Sequence, residues 1–434
     1  MNKLSEWIRN GTLPAEQRAK QFLNKAGIKT DIKDPEKFLS KVENRFPESY
    51  YSFCELSNSR ATEGRSFQEI YDIKNEDKEF SLLMSSLFQA PVWINWIKWF
   101  LKSPAVEKFE QAKHILDLGS DNGIITCFLA AYFPEAKITG IDRCKEGKNV
   151  AYAVSEKLDI SNVEFKAIDA AEYLKNNHIK FDLINSLTFF KEALLIEENN
   201  QWALDLSQKE SNKPKLNEES IHVIESTVNN LNEGGLLLCC ERIHSSDYYR
   251  AFLDHFHATG IKSSSHEGLF FQDWQEETEM LPICFFEKAE QPSGRLTFAE
   301  AHESFTNLCR TENNRHDMPV LDETYSTWML FESLTEKQLL GGALLVYKDD
   351  EGALMTTEVW STCNCTVWFS RTVRGYGEII IYSGSNNQIA FEKLKTAIRN
   401  HSDQDSGEII EYKNVDFLNL KLIELGHPNL VLRK

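Results

Sequence analysis

Positive charge is in short supply in this chain: 48 Lys and Arg stand against 66 Asp and Glu over 434 residues, a net charge of −18. Gripping a phosphate backbone draws on Lys and Arg that displace counterions, so the balance argues against DNA or RNA as partner. Paired cysteines are lacking too. There are nine Cys, including Cys239-Cys240 and Cys363-Asn364-Cys365, but no Cys-x-x-Cys pair repeats at zinc-site spacing. Reduced thiols in a cytoplasmic protein are expected, with neither a disulfide framework nor a metal centre. His255-Phe256-His257 adds no metal site, because residues two apart on a helix do not share a face. No apolar run is long enough to span a bilayer. The opening Met1-Asn2-Lys3-Leu4-Ser5-Glu6-Trp7 is too polar for a signal peptide. Internal repeats are absent.

What is present is an ordinary globular composition, 41% hydrophobic and 26% charged, long enough for roughly three domains. Residues 1–105 have little glycine and place apolar residues at three- and four-residue spacing, which predicts a helical N-terminal cap region. Its last element, Pro91 to Leu101, carries Trp93, Trp96 and Trp99 on one drifting face. A helix packed between domains is the plain reading. An aromatic wall over a substrate pocket and a membrane-surface helix are the alternatives.

Residues 106–290 alternate strand and helix signals. Strands are expected at Ile115–Leu118, Lys137–Asp142, Val163–Asp169, Phe181–Asn185 and Leu236–Cys240, with two more near Gly268–Phe271 and Leu281–Glu287. Helices are expected from Gly123 to Phe133, Lys145 to Leu158, Glu218 to Leu231 (closed by Gly234-Gly235) and Ser246 to Thr259. This is the pattern of a doubly wound α/β domain. Residues 188–217 read as an insertion, either a surface excursion ending in the polar run Ser207–Lys215 or a lid over the crevice.

Gln291-Pro292-Ser293-Gly294 marks the next boundary, and Thr297 with Glu300 makes a capping box for a helix to about Cys309. Apolar strand signals follow at Tyr325–Phe331, Leu339–Tyr347, Leu354–Trp360, Thr366–Phe369 and Glu378–Tyr382, with a hairpin turn at Asp349-Asp350-Glu351-Gly352. A helix at Gln388–Arg399 and short strand signals near Ile409 and Leu420 end the chain. Residues 291–434 are therefore expected to form an α+β accessory domain with an antiparallel sheet, adding substrate contacts or a homodimer surface.

The chemistry-bearing stretch is Asp117-Leu118-Gly119-Ser120-Asp121-Asn122-Gly123, a strand end, a glycine turn and a helix start. A dinucleotide fingerprint needs a bare middle glycine so that the backbone can approach a pyrophosphate. Asp121 stands there instead, and its carboxylate would repel and crowd that group. No Gly-Lys-Ser/Thr follows, so a Walker loop is excluded. A ligand with ribose and adenine but no phosphates meets neither objection, and an ammonium group on it would welcome a carboxylate.

The segment resembles motif I of the class I SAM-dependent methyltransferases, with Asp121 replacing the middle glycine. The resemblance covers about residues 106–290 and implies a seven-stranded methyltransferase core that binds S-adenosylmethionine. Asp142, twenty-three positions after Gly119, matches the ribose ligand and Asp169 the partner of the adenine amino group. Ala170 would line the adenine pocket. Asn185 and Ser186 match the place where cofactor and substrate meet. Asp117, Gly119, Ser120, Asp121 and Gly123 complete the cofactor set. Asp142 and Asp169 could equally serve as turn residues or helix caps.

Glu241 and His244, just after the fifth strand, are the candidates for a general base if the acceptor must lose a proton. The fourth strand ends Asn185-Ser186-Leu187-Thr188, without the Asn/Asp-Pro-Pro-Tyr/Phe signature of many enzymes that methylate nucleobases and glutamine. The expected function is therefore methyl transfer to a small molecule or to a protein or peptide side chain. A catalytically silent SAM-binding scaffold and an RNA methyltransferase are the alternatives.

Overall fold

Ile115, Leu116 and Leu118 are fully enclosed, as a strand covered on both faces must be, and they place the first strand at the centre of a parallel sheet. The structure, a computed structural model, describes residues 3–63, 67–190, 218–243, 246–274, 278–288, 320–322, 331, 336–347, 354–362, 365–372, 377–383, 387–403 and 407–427. The chain divides into two compact units. One comprises Met1–Leu195, Leu216–Arg242 and His255–Gly294; the other comprises Ile196–Lys215, Ile243–Asp254 and Arg295–Lys434.

The first unit opens with helices α1 (Lys3–Asn10), α2 (Ala15–Ala26), α3 (Pro35–Arg45), α4 (Pro47–Glu63), α5 (Phe67–Glu76), α6 (Lys78–Phe88), α7 (Ala90–Phe100) and α8 (Pro104–Glu107). Local chemistry sets their ends. Asp34 accepts the amide of Lys37 ahead of Pro35, and Asp77 accepts those of Glu79 and Phe80. Gly27 closes α2 in the left-handed region.

Alternating elements follow: β1 (His114–Leu118), α9 (Ile124–Tyr132), β2 (Lys137–Asp142), α10 (Lys145–Lys157), β3 (Val163–Ala167), α11 (Ala170–Asn176), β4 (Phe181–Leu187), α12 (Glu218–Asn229), β5 (Leu231–Cys240), α13 (Ser246–Ala258, assigned to the second unit as far as Asp254), β6 (Ile261–Gln272) and β7 (Thr278–Lys288). They build a seven-stranded sheet in the order β3-β2-β1-β4-β5-β7-β6. β1 to β5 run parallel, and β7 is antiparallel to both β5 and β6. The doubly wound core is therefore present, and the strand order turns around at β1 and β4, the place where such folds open a crevice.

The tryptophan stripe of α7 is a packing element of this unit. Trp96 is fully buried, 5.0 Å from the Phe100 ring and edge-on to Phe128 of α9 at 5.9 Å. Trp99 donates its indole N–H to Glu267 at 2.8 Å and faces Phe285 of β7. No helix among the described residues is long and apolar enough to cross a membrane.

The second unit holds a six-stranded antiparallel sheet in the order β13-β9-β10-β11-β12-β8. Its strands are β8 (Val320–Asp322), β9 (Gln338–Tyr347), β10 (Leu354–Ser361), β11 (Cys365–Thr372), β12 (Gly377–Ser383) and β13 (Gly407–Tyr412), with helices α14 (Asn387–Asp403) and α15 (Val415–Glu424). Ala390 and Leu394 of α14 pack on Ala343, Leu345, Val359 and Trp368. Within the sheet, Glu358 is enclosed with Arg371 and accepts hydrogen bonds from Trp360 and Tyr412.

Three local expectations change. The signal near Leu420 belongs to α15, not a strand: Asn414 caps that helix, and Leu418 and Leu422, four apart, are its buried residues. The helix before β5 stops at Asn229, so Gly234-Gly235 does not close it. The glycines lie in the first part of β5, where the register shifts between the Phe181–Leu231 and Leu183–Leu236 pairs. A short helix, α11, follows β3 where none was expected. The polar run 207–215, the boundary at 291–294, the capping box at Thr297 and Glu300, the hairpin turn 349–352 and the 325–331 signal (apart from Phe331) lie outside the described residues.

Candidate functional site

Parallel strands end on one edge, and here that edge gathers the polar residues. Strand register places Asp117 beside Gly140 of β2 and Asn185 of β4, and Asp142 beside Ala167 of β3. The chain leaves β1 through a turn with three left-handed residues, Gly119 (φ 72°), Asp121 (φ 45°) and Gly123 (φ 76°). The amides of Gly119 and Ser120 both donate to the Ile141 carbonyl at 3.0 Å, and the Gly123 amide closes on Ser120 at 2.8 Å. A Cβ on Gly123 would lie 2.4 Å from that of Ala151, so only glycine lets α9 approach α10 here. A Cβ on Gly119 would lie 3.0 Å from the Phe189 ring, which rests on the turn. Asp121 keeps the left-handed geometry of the missing middle glycine, a conformation that short polar side chains tolerate.

Each acid has a distinct setting. Asp117 is enclosed and accepts hydrogen bonds from Thr126 Oγ1 at 2.5 Å and Asn185 Nδ2 at 2.7 Å. Burial pushes its carboxyl up to about 6, against the pull of those two donors. Asp142 accepts the amides of Asp121 at 2.9 Å and Cys144 at 2.8 Å. Burial and then the charge of Asp121 raise its carboxyl to about 6, while the two amides and Lys74 work in the other direction. Asp169 is the N-cap of α11, its Oδ1 accepting the amides of Ala171 at 2.8 Å and Glu172 at 3.2 Å. Ala170 is buried at the start of that helix.

At the ends of β4 and β5, Ser186 donates to Glu241 Oε1 at 2.5 Å, and both side chains are buried. Asn185 is buried, and its Oδ1 has no donor among the described residues. His244 lies outside the described residues.

Five further residues complete the site and escape a reading of the sequence. Thr126 bonds Asp117, and Phe189 covers Gly119. Lys74 forms an ion pair with Asp121, which also accepts Asn75 Nδ2 at 2.8 Å and Gln89 Nε2 at 3.1 Å. The carboxylate expected to welcome a ligand's ammonium is thus held by the protein's own. In sequence, Lys74-Asn75 is only a polar pair ending an unremarkable helix.

The arrangement suits S-adenosylmethionine on three observations. A left-handed glycine lets the backbone come close, the strand-end carboxylate of Asp142 retains lone pairs beyond its two amide donors, and the buried Asn185 Oδ1 lacks, among the described residues, the donor that a ligand N–H would supply.

Residues 109–315 match the family model described as a methyltransferase domain. This part of the chain is similar to methyltransferase domains, whose methyl donor is S-adenosylmethionine. Over 83 residues, 19% of the chain, it is 30% identical to ribosomal RNA small subunit methyltransferase G of Thermotoga sp. (strain RQ2) and to the protein of the same description from Thermotoga maritima. The aligned stretch spans 36% and 35% of those proteins, about a third of their length. Similar solved structures include a ribosomal protein L11 methylase from Lactobacillus delbrueckii subsp. bulgaricus (13% identity, 43% of this chain and 77% of that one, TM-score 0.29). Another is an O-methyltransferase from a trans-AT PKS multienzyme of Brevibacillus brevis in complex with S-adenosyl-L-homocysteine (11% identity, 46% and 75%, TM-score 0.29).

Proposed function

We propose that the chain transfers a methyl group from S-adenosylmethionine to a small molecule or to a protein or peptide side chain. The observation that carries this is the set of polar strand ends around a left-handed glycine turn on a sheet of order β3-β2-β1-β4-β5-β7-β6. Asp142 would accept the ribose hydroxyls, Asp169 and Ala170 would border the adenine, and Gly119 and Ser120 would let the backbone approach. Asn185 Oδ1 would receive an N–H from the amino-acid end. Bound there, S-adenosylmethionine supplies a methyl group on an already activated sulfonium. The protein's part is to align the acceptor and exclude water, for which Phe189 over the turn is placed. Where an acceptor must lose a proton, Glu241 and His244 are the residues we assign. Glu241, enclosed with Ser186, can serve only a group that reaches the ends of β4 and β5.

The acidic charge favours a non-nucleic acceptor. The Thermotoga relatives, ribosomal RNA small subunit methyltransferases by name, favour a second reading, methylation of RNA. One experiment separates them. Calorimetric titration with S-adenosylhomocysteine should show binding to the wild type, much weaker binding to Asp142→Ala and none to Gly119→Val. Radiolabel from methyl-tritiated S-adenosylmethionine should then enter a small-molecule or protein fraction. Label in RNA would replace the acceptor, and binding with no transfer into any fraction would leave a silent SAM-binding scaffold.

A further inference from the structure

Asp121 is unusual on three counts. It occupies the middle position of the glycine turn, it sits in the left-handed region (φ 45°), and its carboxylate points away from solvent into a cage of three donors from the N-terminal helices. Lys74, 5% exposed, comes from α5, Asn75 from the same turn of α5, and Gln89 from the α6–α7 junction. The cage is braced in turn. Lys74 also donates to Gln89 Oε1 at 3.2 Å and lies 4.8 Å from the Tyr71 ring centre. Asn75 Oδ1 accepts Ser81 at 2.6 Å, and Ser81 and Ser85 of α6 accept Asn122 of the turn. From Asp121 the chain of contacts runs on: its amide donates to Asp142 Oδ2.

We infer that Lys74 is a positioning residue for cofactor binding: its ammonium neutralises Asp121 and thereby keeps the neighbouring Asp142 carboxylate charged and set to accept the ribose hydroxyls. This rests on the reading of Asp142 as the ribose ligand. The physical reason is that a carboxylate at the middle-glycine position costs the site a like charge beside its key acceptor, and a second charge of opposite sign removes that cost. The groups facing Asp142 are Asp121 from the turn, Lys74 from α5, Cys144 from the start of α10 and, from β1, Asp117. Of these, the Asp121 charge raises the Asp142 carboxyl and Lys74 lowers it. Removing either partner should therefore move Asp142 in opposite directions.

The test is the affinity of 5′-methylthioadenosine, which keeps the ribose and has no titrating amino acid, measured by calorimetry from pH 5 to pH 9 on the full chain. Wild-type binding should strengthen through a midpoint near pH 6, where Asp142 gives up its proton. In Lys74→Met the midpoint should rise by about one pH unit, weakening binding roughly fivefold at pH 6 and little at pH 9. In Asp121→Asn, which leaves Lys74 in place, it should fall by about one pH unit. The double variant should return close to wild type. Should Lys74→Met not fold, the acid shift of Asp121→Asn carries the test alone. Equal weakening at every pH, or shifts in the same direction, would mean that Lys74 merely holds the helices in place and would overturn the inference. If Asp142→Ala binds as well as wild type, the ribose assignment itself fails, and this inference with it.

Discussion

Asp117 shows what a single carboxyl costs when it is shut away from water. It is 2% exposed, and its donors are one hydroxyl and one amide, without a cation. Its proton is therefore held up to about pH 6 in the folded chain, whereas an unfolded chain releases it near 3.8. The folded state binds the extra proton between those values, so this residue's contribution is fully present below pH 4 and is lost as the pH rises through 6. Asp117→Asn should abolish that loss. Thr126 can still donate to the amide oxygen, and the new amide N–H finds an acceptor if Asn185 turns its unpartnered Oδ1 toward it. Urea unfolding without cofactor should then show the variant gaining on the wild type by up to about 3 kcal/mol between pH 4 and pH 7. A difference that stays flat across that range would mean that Asp117 keeps its ordinary carboxylate behaviour despite burial.

At the scale of elements, α7 shows how a pattern is read correctly in type and only partly in role. Three tryptophans at three-residue spacing predict a helix, and the helix is there. Whether they line a pocket or a core is decided by partners far along the chain. For Trp96 this is Phe128, and for Trp99 they are Glu267 and Phe285. Trp96→Ala should cost about 3–5 kcal/mol by leaving a cavity. Trp96→Phe should cost far less, because the Trp96 indole N–H has no acceptor among the described residues and its loss removes an unsatisfied donor. Chemical denaturation of both variants checks this, and equal losses would contradict the packing role. The same boundary between local and distant information runs through the whole fold. β1 to β5 were legible because buried parallel strands are short apolar runs ending in polar residues. α15 was missed at Leu420 because a short apolar run does not reveal its period, whereas the Asn414 cap and the four-residue spacing of Leu418 and Leu422 settle it. The place of Asp142 at the end of β2 was legible from the pattern of the strand. The cage around Asp121 was not, since Lys74 lies 47 positions upstream and nothing local distinguishes it from a solvated lysine.

For the whole molecule, charge bears on the choice of acceptor more directly than likeness does. The Thermotoga relatives are described as ribosomal RNA methyltransferases, yet they align with this chain over only 83 residues, at 30% identity. A cofactor-binding sheet can be shared by enzymes with unrelated acceptors, because the fold fixes the donor site and leaves the acceptor to the surroundings. RNA, by contrast, makes a demand on the whole surface: several Lys and Arg must neutralise phosphates, and each contact steepens the loss of affinity with salt. A chain with 18 more acidic than basic residues opposes that at long range. Lys74, among the most buried cations described, is already committed to Asp121. Filter binding of a small-subunit ribosomal RNA fragment at about 50 mM salt should therefore retain no RNA at micromolar protein, with or without S-adenosylhomocysteine. Retention that falls steeply as salt is raised to about 200 mM would instead locate a concentrated basic face and make RNA the acceptor.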